Sequence, residues 1–279
     1  MTPHAERWKE IVAGPEEEID IAEAALLIGA PEYPGLDVPG YLRRLDEMAA
    51  TLKRRLRGDI SPADRVIALN HYFFDELGFR GNAGDYYDPR NSFLNEVLDR
   101  RLGIPITLAL VYVEFGRRVG LSMHGVSFPG HFMVKCNMRD GVVVLDPYAR
   151  GVSLGLDDLQ ARLGALRGDA APSSEMVRQM LAAAGKKSIL ARMLRNLKGI
   201  YLERRDFDRA LAATDRIIML EPRAAEEYRD RAAIYHDLEC FRAALSDFRN
   251  YLMLKPAADD APVVQRKVVE LQQIAARLN

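Results

Sequence analysis

The stretch Gly103–Leu121, GIPITLALVYVEFGRRVGL, decides how the chain is read. Pro105 stands at a first helical position, where its missing N–H is no loss. Apolar residues then recur at helical spacing to about Val119, and Gly120 ends the run, so the spacing predicts a buried helix over about 105–119. A loop running into a buried helix N-terminus is a place where a thiol is activated, because the helix end lowers its pKa. Here the chain offers Pro105, Ile106 and Thr107 and no cysteine. Thr107, about the third residue of the helix, has two readings. Its hydroxyl can bond local backbone groups, or it can act as a nucleophile if a base lies within hydrogen-bond reach.

Upstream, residues 16–78 read as helices. EEEIDIAEAALLIGA carries acids in its first turn and ends at Gly29 and Pro31. DVPGYLRRLDEMAATLKRRLRG is amphipathic, and SPADRVIALNHYFFDELG has Ser61 as N-cap with Pro62 behind it. GFRGNAGDYYDPR is a turn-rich loop, and NSFLNEVLDRR a short helix capped by Asn91 or Ser92. The loop is polar and aromatic and precedes the decisive helix. Asp88, Arg90 and Asn91, with Pro105, are therefore candidates to line a cleft; the alternative is a loop pinned by its own hydrogen bonds.

Downstream of Gly120 the period changes to that of strands: MHGVSF, HFMVKC and VVVLD, with NMRDG a turn. His131 opens the second strand and Asp146 closes the third. A four-residue loop at 137–140 sets His131 opposite Asp146 on one face. A tight Asp140–Gly141 turn sets Asp146 opposite Lys135 instead, and a three-residue loop puts the two on opposite faces. Cys136 falls on the face away from His131, as a buried structural thiol.

The last hundred residues repeat. Tyr201, Phe207, Ala210 and Pro222 recur as Tyr235, Phe241, Ala244 and Pro256, each 34 positions on. Small alanines let paired helices approach while Tyr and Phe fill the grooves between them. Three residues before the Tyr, where a small residue is expected, the second copy has Ala232 but the first has Lys198. The last helix, PVVQRKVVELQQIAARL, caps the array. The expected organisation is an N-terminal domain over 1–167, a linker over 168–186 and a repeat domain over 187–279.

A formal net charge of −1 leaves no strong field for nucleic acid or an anionic membrane. No run is long and apolar enough to span a bilayer, and the N-terminus shows no apolar core of a signal peptide. Two cysteines make no disulfide scaffold, which points to a reducing cytoplasm. Five histidines, at 4, 71, 124, 131 and 236, form no metal-ligand spacing, so neither metal nor cofactor is expected.

Three segments carry a resemblance: GIPITLALVYVEFGRRVGL, PGHFMVKC and VVVLDPY. They are similar to the transglutaminase-like core, a relative of the papain-type fold. Gly103, Ala109, Gly120-Leu121, His131 and Asp146-Pro147 match its pattern, and the nucleophile position falls on Pro105. The 34-residue period resembles the tetratricopeptide repeat. As a whole the chain resembles a bacterial family, often called SirB-type, that joins the two. The resemblance implies an α+β fold: a mainly helical N-terminal domain with a small antiparallel sheet, then an all-α tetratricopeptide-repeat domain. It further implies a Pro at the old Cys position with a Ser or Thr two residues later, as Pro105 and Thr107 provide.

Two functions follow. One is a non-catalytic interaction or regulatory factor whose repeats bind a protein or peptide partner. The other is a hydrolase or acyltransferase with Thr107 as nucleophile, His131 as base and Asp146 as orienting acid.

Overall fold

The computed structural model describes residues 2–139, 141–167 and 172–277. The fold is α+β, and the chain divides into two compact units, Met1–Ile189 and Leu190–Asn279. Helix Ser174–Met180 falls within the stretch expected as linker. Residues 168–171 of that stretch lie outside the described residues.

In the first unit the helices are α1 (Pro3–Ala13), α2 (Ile21–Gly29), α3 (Val38–Arg55), α4 (Pro62–Asn70), α5 (Leu94–Arg100) and α6 (Pro105–Arg118). Most starts follow from caps: Thr2, Asp20, Asp37 and Ser61 each accept a backbone N–H of the first turn. The acid-rich start expected for one long helix is instead a separate 3₁₀ turn at Glu16–Glu18, because Asp20 caps a new helix behind it. After α4 the chain widens into a π-helix over His71–Glu76. That turn carries Phe73 into a cluster with Phe79 (stacked, 4.3 Å between ring centres), Tyr112 and Phe115. Neither Asn91 nor Ser92 caps α5; its N-cap residue is Phe93, and Asn91 lies in a 3₁₀ turn, Pro89–Asn91.

The strands are β1 (Arg80–Gly81) and β2 (Leu102–Gly103), a short parallel pair, and β3 (Met123–Val126), β4 (Met133–Met138), β5 (Gly141–Asp146) and β6 (Val152–Leu154), an antiparallel sheet in that order. Val134 pairs with Leu145 and Met138 with Gly141. This register is none of those weighed from the sequence, for β4 and β5 pair right up to a two-residue connection. The tip of the expected NMRDG turn, Asp140, lies outside the described residues. One sheet face carries Val126, Met133 and Val144, packed against Leu159, Leu163 and Val177 of α7 (Leu156–Arg167) and α8 (Ser174–Met180). Met123, against which Gly116 of α6 packs, lies on the other face.

The second unit contains most of α9 (Lys186–Glu203), then α10 (Phe207–Leu220), α11 (Ala225–Asp237), α12 (Phe241–Leu254) and α13 (Ala261–Arg277). Ala210 and Ala244 are fully buried, as the repeat requires. Arg205 and Glu239, 34 positions apart, both turn through left-handed backbone (φ 56° and 57°) between paired helices. Lys198 is buried where the repeat pattern expects a small residue. Its ammonium donates to Glu227 at 2.6 Å and Asp230 at 2.8 Å, and Arg195 holds the other Glu227 oxygen at 2.7 Å. The long stem replaces the small residue because α11 supplies the acids that match it.

Replacing this lysine by the residue the pattern prefers should therefore destabilise the unit. Lys198→Ala is expected to cost roughly 3 kcal/mol by leaving Glu227 and Asp230 short of a cation, read as a lower urea midpoint. An unchanged midpoint would show that the network adds nothing.

Candidate functional site

The site begins at the entry to α6. Gly103 leads in, and a Cβ there would meet Thr107 Oγ1 at 2.8 Å, so glycine is needed for the close approach. Pro105 is buried at the first helical position. Thr107 is 0% exposed. Its oxygen accepts the Ile104 N–H at 3.1 Å, and its hydroxyl donates to Asn91 O at 2.8 Å, with Ile104 O at 3.2 Å. A hydroxyl has one proton to donate, and backbone carbonyls take it here. The side chain does the work of the N3 residue of a capping box, returning to the N-cap N–H.

Asn91 continues the connection. It is fully buried; its amide N–H groups donate to Asp85 O at 2.7 Å and Tyr86 O at 3.2 Å, and its oxygen accepts from Asn82 at 3.0 Å. Asp88 caps the following turn and pairs with Arg90 at 2.8 Å and Arg100 at 3.4 Å. Burial pushes its carboxyl up, but the Arg90 bonds and charge, with Arg100, outweigh burial and hold it below its ordinary value. Asp88, Arg90 and Asn91 thus pin their own loop, which Thr107 ties to α6.

His131 and Asp146 are brought together. His131 precedes β4 by two residues, after a turn in which Gly130 has φ +68°. Asp146 ends β5 and lies level with Met133, so the imidazole reaches it diagonally along one face. His131 Nε2 stands 2.9 Å from Asp146 Oδ1. The carboxylate accepts, so Nε2 carries the proton of this bond.

Asp146 is 1% exposed. Its Oδ1 also accepts the N–H groups of Tyr148 and Ala149 at 3.1 and 3.2 Å, and Oδ2 accepts from Arg162 of α7 at 3.2 Å. Burial raises its pKa, but the His131 bond and charge, the Ala149 N–H and Arg162 together hold it below the ordinary value.

Tyr148 joins the two halves of the site. Its ring lies on the backbone of Gly81, where a Cβ would come within 2.5 Å of it. His131 meets it edge-on at 6.2 Å between ring centres, and Tyr86 does so at 6.3 Å. Tyr87, largely exposed, continues the row from Tyr86. Arg162 and Tyr148 also belong to the site, and neither is among the residues the sequence pattern offers for it. Tyr148 follows the Asp146-Pro147 pair and could have been read from that motif; Arg162 has no local signal, since only the packing of α7 brings it there. Cys136 and Cys240 are free thiols, the first buried and the second exposed. Among the described residues no group of three or more His, Cys, Asp or Glu side chains is placed to hold a metal ion, and no helix is long and apolar enough to cross a membrane.

Comparison with known proteins gives the chain's family. The profile of the Transglutaminase-like superfamily matches residues 40–195, and that of the Tetratricopeptide repeat matches residues 197–268. A UPF0162 protein of Xylella fastidiosa is 38% identical over 268 residues, 95% of this chain and 94% of that one. A UPF0162 protein of Pseudomonas aeruginosa is 34% identical over 83% of each chain. F-box only protein 21 of Mus musculus is 29% identical over 138 residues, 47% of this chain and 21% of that protein. The chain belongs to the transglutaminase-like superfamily and, within it, to the UPF0162 family. The bacterial relatives named here carry that description rather than the SirB-type label.

Two measurements check this geometry. Thr107→Val keeps the shape but strands the Ile104 N–H and the Asn91 carbonyl, and should cost about 2 kcal/mol in urea unfolding; Thr107→Ser should restore most of it. Asp146 titrates lower folded than unfolded, so its contribution is full at neutral pH and is lost as pH falls through the folded value. The stability difference between the parent and Asp146→Asn should therefore shrink as pH drops below the ordinary carboxylate value of about 3.8. A difference constant from pH 7 to 3 would contradict it.

Proposed function

We propose that this chain is a non-catalytic member of its superfamily, a protein-interaction or regulatory factor acting in the cytoplasm. The observation that carries this reading is the occupancy of the nucleophile position. Pro105 has neither a nucleophilic atom nor an N–H for an oxyanion, and the Thr107 proton is donated to buried backbone carbonyls. A hydroxyl becomes a nucleophile when a base takes that proton, and here the proton serves the helix cap.

His131 and Asp146 then hold the end of the sheet and offer a cleft wall for ligand contact without turnover. Tetratricopeptide repeats mediate protein–protein interaction, and residues 197–268 carry that profile. The partner we propose is a helix or extended peptide bound in the repeat groove. The two free thiols support a reducing compartment.

The alternative reading, acyl transfer through Thr107 with His131 as base and Asp146 as orienting acid, has one supporting observation, the 2.9 Å His131–Asp146 contact. Labelling separates the two. Full-length protein treated with fluorophosphonate and with acyl-oxymethyl ketone probes should carry no adduct within 103–146. An adduct on Thr107 that disappears in His131→Ala would establish the alternative.

A further inference from the structure

The N-terminal unit holds a cavity whose lining includes neither His131 nor Asp146. It is a cavity of ≈ 220 Å³ between α6, β3 and the segment at 184–189. Its apolar wall includes Ile21, Ala109, Leu110, Val113, Phe132 and Ile189. The space exists because small residues, Ala109, Gly125 and Ala184, face it. The Phe132 ring lies at the wall against Gly125 of β3, where a Cβ would come within 2.8 Å of it. An enclosed apolar cavity of about 150 Å³ takes up benzene, so the volume here suffices for a body of that size.

The polar groups of this cavity are Glu114, Arg117, His124 and Lys186. Glu114 is already engaged: Arg117 donates to Oε1 at 3.1 Å, and Arg118 to Oε2. Lys186 donates to the carbonyls of Glu17 and Ile19 at 2.6 and 2.7 Å, two of the three N–H groups of an ammonium. Arg117 is more than half exposed, so its guanidinium can turn further donors to a ligand. Burial, then the charges of Lys135 and Arg117, hold the His124 imidazole below its ordinary value. A ligand therefore meets an apolar body of space edged by the donors of Arg117, Lys186 and His124, with Glu114 held by Arg117 and Arg118.

We propose that this cavity binds a small carboxylate with an aromatic or branched aliphatic body. The body fills the space beside Ala109 and Phe132, and the carboxylate sits on Arg117, with Lys186 and His124 alongside. The same Arg117 and Lys186 border a neighbouring cleft lined by Glu17, Glu18 and Asp20. A cationic ligand would choose that cleft, so ligand charge discriminates.

The test titrates full-length protein, methyl-labelled at Met and Ile, with benzoate, benzyl alcohol and benzylamine up to about 10 mM. Benzoate should shift the Met123, Ile21 and Ile189 methyls saturably and raise the His124 pKa, since an anion arrives beside it. Arg117→Gln should weaken benzoate about tenfold while leaving benzyl alcohol unchanged. Ala109→Leu should abolish both, and if that variant fails to fold, Arg117→Gln at the more exposed rim carries the comparison. The proposal is overturned if benzoate gives no saturable shift, if benzylamine binds more tightly than benzoate, or if Arg117→Gln binds benzoate as the parent does.

Discussion

The hydroxyl of Thr107 is the point on which the N-terminal unit closes. It joins the last residue before α6, through the Ile104 N–H, to the loop that ends at Asn91. Asn91 passes the connection to Asp85, Tyr86 and Asn82, and Asn82 N–H donates back to Gly103 O at 3.0 Å. These groups form a ring of polar contacts, buried at Thr107 and part-buried beyond Asn91, in which each bond depends on its neighbours, so the cost of losing one member exceeds that of a lone surface bond. An enzyme that needed this hydroxyl as a nucleophile would have to break the cap each time it reacted.

The His131–Asp146 pair is held for the same kind of reason. Both oxygens of Asp146 are occupied, one by His131 and two backbone N–H groups and the other by Arg162. The carboxylate thereby organises the end of β5, the turn after it and α7 together. An orienting acid in a catalytic triad needs only the first of these duties. The additional ones give the pair a structural role that does not depend on a nucleophile.

Much of this was legible in sequence. Pro105, the apolar period and Gly120 placed α6 within a residue or two, because each acts locally. The 34-residue period placed the repeat helices for the same reason, with buried Ala210 and Ala244 at their crossings. The contact between His131 and Asp146 was legible as an alternative only. Register depends on where β4 and β5 cease to pair, and His131 reaches its partner from outside the strand. Lys198 read as a defect in the repeat because its compensation, Glu227 and Asp230, lies on another helix. The choice between cap and nucleophile at Thr107 was open for a similar cause: the carbonyl that receives its proton belongs to Asn91, sixteen residues away.

The central claim concerns one hydrogen atom, and neutron diffraction from deuterated crystals locates it directly. The account predicts the Thr107 hydroxyl deuterium on the line to Asn91 O, with Nε2 of His131 deuterated toward Asp146. A deuterium on Thr107 directed instead toward the His131 imidazole would contradict it.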